Sequence, residues 1–261
     1  MPELPEVAYQ KKYADATILH KKIVKVETGD KKIYQSDKSE FEKVLQNNQF
    51  TGSERLGKYL FLNLEKQGCL VVHFGMTGKL EYYQHNEVPK YAQLTLTFQD
   101  HSRLSFTCPR KFGKLYLAES LAQFQKENNL GIDALALKKE VFLEILKAKT
   151  GSIKGLLMNQ KLIAGIGNLY ADEVLFQSKV HPATRVNKLS TKEKTEIFKN
   201  IAEVLEVVKK ARIEGKKLPE SYLTSVRKKA AACPRNNGKI EQIKISGRTT
   251  YFCPACQKEK A

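Results

Sequence analysis

A chain of 261 residues with 41% hydrophobic content is long enough for one large or two modest domains, and too apolar for a disordered protein. Its 45 Lys and Arg against 28 Asp and Glu leave a net charge of +17, which points to a polyanionic partner, nucleic acid first, with ribosomal and membrane-surface roles as alternatives. The longest apolar runs, such as CLVVHFGM at 69–76 and LIAGIG at 162–167, fall far short of a membrane span.

In chain order, residues 3–15 begin with Glu and Pro and then space apolar side chains helically, predicting a short first helix. The same stretch carries acids where a signal peptide would be basic and then apolar, so no leader is expected. From about 22 to 118 the texture is β. IVKVETG, YLFLNLE, CLVVHFG, KLEYYQ, AQLTLTFQD and RLSFTC are short, β-branched or alternating, and separated by Gly, Asp and Asn. One helical insert, KSEFEKVLQNN, interrupts strands that otherwise predict a sandwich or barrel. After about 120 the pattern turns helical, ending in a long helix that Ser190 caps and Gly215 stops. Past 233, KIEQIKIS and TTYFC predict a hairpin. The fold class expected is α+β: a β-sandwich domain over 1–120, a helical domain over 121–225, and a finger-like hairpin over 226–261.

The five cysteines, at 69, 108, 233, 253 and 256, are odd in number and unevenly placed, which argues against a secreted disulfide framework and for a reducing, cytoplasmic location near the nucleoid. Three of them look like a broken metal motif. CPAC at 253–256 is a complete Cys-x-x-Cys, whereas in CPRNNG at 233–238 Asn236 stands where the second cysteine would be. Structural zinc wants four N or S ligands, and the hairpin holds no histidine to join Cys233, Cys253 and Cys256. A structural zinc is therefore an open question. Docking of Ile240, Ile243, Ile245, Tyr251 and Phe252 on the helical domain is the alternative brace.

The start of the chain has its own chemistry. Removal of Met1 would leave Pro2 with a free secondary amine, whose pKa near about 8 leaves far more free base at neutral pH than a lysine at about 10.4. Attack on a sugar aldehyde carbon gives an iminium cation without further protonation, an electron sink for eliminating a neighbouring phosphate. Glu3 stands beside it as a general acid. Alone, the dipeptide is equally at home as an ordinary helix start.

The whole set of motifs narrows this. MPELPEV, RLGKYLF at 55–61, HFGMTGKL at 73–80, PRKFG at 109–113, LLMNQKLIAGIGNLYADEVLF at 156–176 and GRTTYFCPACQ at 247–257 together resemble the formamidopyrimidine-DNA glycosylase / endonuclease VIII family, closer to the first branch. The resemblance implies a β-sandwich, a helix–two-turn–helix domain and a finger-like hairpin. The implied activity is flipping a damaged base out of duplex DNA, cutting its glycosidic bond, and nicking the strand by β,δ-elimination. By the same resemblance Pro2 is the Schiff-base nucleophile, Glu3 the acid/base, and Lys58 a phosphate contact that assists elimination. Met76, Arg110 and Phe112 match the trio that fills the hole left by the flipped base. Asn168, at the GIGN turn, and Arg248 in the finger match phosphate contacts, with Arg248 also serving the elimination. His73, Lys149 and Lys154 are further candidate backbone contacts.

The resemblance implies a monomer acting on damaged double-stranded DNA, away from membranes, with no cofactor required for the chemistry. Three departures qualify it. The cysteine set is incomplete. Residues 216–232 are short for the loop that closes over 8-oxoguanine in the formamidopyrimidine branch, which favours ring-opened purines or oxidised pyrimidines as substrates. PKYAQ at 89–93 replaces a His-rich stretch, and Cys108 stands where an Asp is common. The alternative is a paralogue, weak or inactive in catalysis, that binds damaged or abasic DNA without cutting it.

Overall fold

The computed structural model describes residues 2–85, 87–147, 149–236 and 238–259. The chain divides into two compact units, residues 1–129 and 130–261.

The first unit begins with α1 (Leu4–Thr17). Eight strands follow: β1 (Ile23–Thr28), β2 (Phe50–Leu56), β3 (Tyr59–Leu64), β4 (Cys69–His73), β5 (Lys79–Tyr83), β6 (Ala92–Phe98), β7 (Arg103–Thr107) and β8 (Lys114–Ala118). The insert after β1 is α2 (Lys38–Leu45). The strands form two antiparallel sheets, ordered β1-β6-β7-β5 and β2-β3-β4-β8. Period-two alternation sends Leu60, Leu62, Leu70, Val72 and Leu115 of one sheet against Leu94, Leu96, Leu104 and Phe106 of the other. The opposite face of the second sheet is not left to water. Phe61 faces Val71, and Val71 faces Tyr116, along the ladder. The short α3 (Leu121–Glu127) lays Phe124 over them, its ring centroid 5.5 Å from Phe61 and 5.1 Å from Tyr116. Burial on both faces explains why β3 and β4 read as continuous apolar runs rather than alternating ones.

In the second unit, β9 (Ile132–Asp133) and β10 (Ile163–Ala164) make a short parallel pair. The helices are α4 (Lys139–Lys147), α5 (Ile153–Leu157), α6 (Asn168–Gln177) and α7 (Thr191–Glu214). Ser190 and Glu193 form a reciprocal capping box at the start of α7, and left-handed Gly215 closes it. The central helix is α6, with Tyr170 through Phe176 all buried, and it packs against α5 and α7. The C-terminal hairpin joins β11 (Glu241–Ile245) to β12 (Arg248–Phe252) through Ser246 and Gly247, both at positive φ as a two-residue hairpin turn requires. A lone hairpin is marginal in water. This one docks: Phe176, Leu223, Cys233, Ile240 and Cys253 form one buried cluster, and Phe252 meets His181 edge-on at 4.6 Å. Among the described residues, no helix is long and apolar enough to cross a membrane.

Candidate nucleic-acid interface

Pro2 is half-buried and lies just ahead of a rigid helix start. Glu3 is the N-cap of α1. Its N–H donates to the Glu6 carboxylate at 3.0 Å, and its own side chain accepts from the Glu6 backbone. Fully buried Leu4 and Val7 fasten this turn into the unit, and Glu3 itself is only 2% exposed. Glu3 is thus a buried carboxylate adjacent in sequence to Pro2.

Helix α1 packs against β2 and β3, whose connecting turn is Gly57–Lys58. Lys58 is 8% exposed, an unusually enclosed position for a lysine in a hairpin turn. His73, opposite Tyr59 in the ladder, lies against that ring at 4.9 Å with the two planes tilted by 42°. Burial, and secondarily the Lys58 charge, push the His73 imidazole down to about 4. At neutral pH His73 is therefore uncharged and can meet a phosphate only as a hydrogen-bond donor.

The structure brings Met76, Arg110 and Phe112 to one surface. Met76 is 40% and Phe112 55% exposed, large apolar side chains facing water. Two contacts join their loops. The Arg110 N–H donates to Thr77 Oγ1 at 3.4 Å, and Gly75 lies so close that a Cβ there would meet the Phe112 carbonyl at 2.4 Å. The Arg110 guanidinium lies 5.4 Å from the centroid of the Phe112 ring. Cys108, fully buried, closes the second loop by accepting the Gly113 N–H on its sulfur at 3.3 Å. Its sulfur thus serves as the loop's acceptor. The arrangement is two apolar prongs and a cation on a tied pair of loops, which suits insertion into a base stack.

In the second unit Asn168 is the first residue of α6, and Gly167, not Asn168, is the N-cap. Asn168 Nδ2 donates to Thr249 O of β12 at 3.0 Å, while its buried Oδ1 has no hydrogen-bond partner. Arg248 is exposed at the start of β12, beside the hairpin turn, and Lys149 is exposed after α4. Lys154, expected as a further backbone contact, is placed inside the unit. It is fully buried, with Nζ 2.6 Å from Asp172 Oδ1 and 2.6 Å from Thr250 Oγ1, and presents no surface to a phosphate.

Two family models match the chain: the formamidopyrimidine-DNA glycosylase N-terminal domain over residues 1–115 and the formamidopyrimidine-DNA glycosylase H2TH domain over 130–217. The chain belongs to the formamidopyrimidine-DNA glycosylase family. It is 34% identical to the formamidopyrimidine-DNA glycosylase of Mycoplasmopsis pulmonis, covering 100% of this chain and 99% of that one. It is 33% identical to that of Lactobacillus delbrueckii subsp. bulgaricus, covering 99% and 100%. Among solved structures it is similar to Lactococcus lactis Fpg in complex with DNA containing an abasic site, with TM-score 0.89, 29% identity, and coverage of 98% and 100%. The same Lactococcus protein with N7-benzyl-Fapy-dG DNA gives 0.88 at 29% identity, covering 99% and 100%.

The cysteine cluster lies beyond both matched segments. The sulfurs of Cys233, Cys253 and Cys256 lie within 4.8 Å of one another and could hold a metal ion. The Cys233–Cys256 separation of 3.7 Å matches the edge of a tetrahedron with Zn–S bonds of about 2.3 Å. The fourth position holds Asn236, a neutral amide and a poor fit to a zinc ligand. Its Nδ2 donates to Cys256 Sγ at 2.9 Å, and its Oδ1 accepts from the Gly238 N–H at 2.7 Å and faces Cys253 Sγ at 3.7 Å. Burial and the two neighbouring thiols push Cys256 up to about 12.

Sequence reasoning missed Asp172 and Arg227. Arg227 Nη2 and Nε reach Asp172 Oδ2 at 2.7 and 3.1 Å. One signal was present: Asp172 and Glu173 are adjacent carboxylates in an otherwise apolar helix, and buried charges need partners.

Proposed function

We propose that this chain is a base-excision DNA glycosylase that also nicks the strand as an AP lyase, removing oxidised or ring-opened bases from duplex DNA through a Schiff base at Pro2. The observation that carries the reading is the tied pair of loops presenting Met76, Phe112 and Arg110. Exposed apolar prongs beside a cation have no packing role within the unit, and filling the gap behind an extruded base gives them one. Family membership supports the same reading.

In this scheme the Pro2 nitrogen attacks C1′ of the flipped nucleotide and displaces the damaged base, and ring opening leaves an iminium. Glu3 supplies and receives the proton as the sugar ring opens. Loss of a C2′ proton then expels the 3′-phosphate, and the second elimination expels the 5′-phosphate. Lys58 neutralises a neighbouring phosphate, and Asn168 and Arg248 grip the backbone. None of these steps needs a metal. The three thiols can face an ion with three sulfurs, and the fourth ligand of a structural zinc is absent from the set. The protein acts as a monomer on damaged duplex, in the cytoplasm with the nucleoid.

The test is borohydride trapping on a duplex with an abasic site, using protein whose first residue is verified as Pro2. A covalent adduct that disappears in Pro2→Gly is the expected result. Absence of the adduct would reduce the chain to a paralogue that binds damage without cutting.

A further inference from the structure

One edge of β12 pairs with β11, and the other is occupied by side chains. Ile245 pairs with Arg248 and Gln242 with Tyr251 in the hairpin register. The alternation of an antiparallel ladder then aims the backbone groups of Thr249 and Tyr251 away from β11. One group of each residue finds side-chain partners. The Asp172 carboxylate accepts the Tyr251 N–H at 3.1 Å, and Asn168 Nδ2 and Arg227 Nη2 donate to Thr249 O at 3.0 and 3.4 Å. Asp172 is itself fixed by two cations, Lys154 at 2.6 Å on one oxygen and Arg227 at 2.7 Å on the other. Lys154 also holds Thr250 Oγ1, and the Arg227 guanidinium lies 4.6 Å from the Tyr251 ring centroid. Thr249, Thr250 and Tyr251, the three residues after Arg248, are thus all tied to one buried cluster.

The opposite end of the hairpin gives the complementary observation. Asn236 Oδ1 accepts the Gly238 N–H at 2.7 Å. The same oxygen faces Cys253 Sγ only at 3.7 Å, while Nδ2 donates to Cys256 Sγ at 2.9 Å, so the amide is engaged on both sides by hydrogen bonds. The fourth ligand position is therefore taken by a neutral amide shared between Gly238 and two sulfurs, not by a thiolate or an imidazole.

We propose that the finger of this chain is set for DNA by the Lys154–Asp172–Arg227 cluster and not by a metal ion, with Asp172 acting as a positioning residue for Arg248 and Asn168. The proposal rests on the reading of Arg248 as a phosphate contact. One carboxylate joins α5, α6, the segment around Arg227 and β12. Neutralising it leaves two cations facing each other under the strand that carries Arg248, which moves the strand without touching DNA.

Two measurements test it, both on the full chain. Exhaustive treatment with a zinc chelator is expected to leave the unfolding midpoint and the affinity for an abasic duplex unchanged, and loss of either overturns metal independence. Asp172→Asn is expected to lower the slope of log affinity against log salt by about 0.9, as Arg248→Ala does, one phosphate contact in each case. Adding Arg248→Ala to Asp172→Asn is expected to cost little more, because the contact is already lost. A full additive cost overturns the positioning role. Should Asp172→Asn fail to fold, Arg227→Gln, at the more accessible end of the cluster, takes its place in the same cycle. If Arg248→Ala alone leaves affinity and slope unchanged, the phosphate reading has failed and hydrogen exchange decides the brace. Faster exchange of the Tyr251 amide in Asp172→Asn supports it, and unchanged protection overturns it.

Discussion

A lysine sealed against a carboxylate serves DNA binding only through the structure it holds, whereas a lysine at the surface serves it directly. Lys154 is fully buried on Asp172, whereas Lys149 is exposed and accessible to a phosphate. Lys154→Met is expected to destabilise the fold by about 3–5 kcal/mol, because it leaves Asp172 with half its compensation. Equilibrium denaturation measures this. A phosphate contact would instead lose affinity with stability intact, the pattern expected for Lys149→Ala. His73 makes a pH-dependent contribution. Its imidazole is held down to about 4 in the folded chain, against about 6.5 when unfolded. Between those values the unfolded chain binds the extra proton, so stability is fully present above about pH 6.5 and falls as pH drops toward about 4. His73→Gln is expected to flatten that loss, roughly 1–3 kcal/mol across the window, read from unfolding midpoints at pH 4.5 and 7.

The elements were legible where one residue pattern decided them. The α7 helix announced both ends through Ser190 and Gly215, and KIEQIKIS and TTYFC announced the C-terminal hairpin, although its turn begins at Ser246, inside the first strand as read from sequence. What stayed illegible depended on partners distant in sequence. Burial of Lys154 needs Asp172 and Thr250, and the Asn168 link to β12 needs the finger folded back on α6. Motifs name residues, but only packing says which face water. The wedge loops show the difference. Gly75 has φ of +59 and no room for a Cβ against Phe112, so the two loops meet only because the residue is glycine. Gly75→Ala is expected to destabilise the unit by about 1–3 kcal/mol and to part the loops. Excision from duplex should then fall with it. Met76→Ala, which leaves the loops tied, is expected to slow excision of a paired lesion while sparing cleavage of a preformed abasic site, where less unstacking is needed. Equal losses on both substrates would remove the wedge from the mechanism.

Across the whole molecule, a charge of +17 makes affinity steep in salt for any duplex, damaged or not, so charge gives binding and contacts to the flipped base must give selectivity. Selectivity in turn depends on how much chain is free to cover the flipped base. Residues 216–232 are short, and the structure shortens the free part further. Glu173 accepts the Leu223 and Thr224 N–H groups at 3.2 and 2.7 Å, and Asp172 holds Arg227. With Tyr222 and Leu223 buried, the segment through 227 lies pinned, and Ala230 and Ala231 are bonded to Ile240 and Ala232 to Lys239, which leaves mainly 216–221 to form a lid. A chain that cannot close over the base loses contacts to the exocyclic groups that distinguish 8-oxoguanine, while a ring-opened purine, already poorly stacked, costs less to extrude. In single-turnover excision on matched duplexes, ring-opened purines or oxidised pyrimidines are therefore expected to exceed 8-oxoguanine. Glu173→Gln, which loosens the anchor of 223 and 224 without lengthening the chain, should leave that order unchanged. An 8-oxoguanine rate at the top of the panel would mean that selectivity is set elsewhere than in this segment.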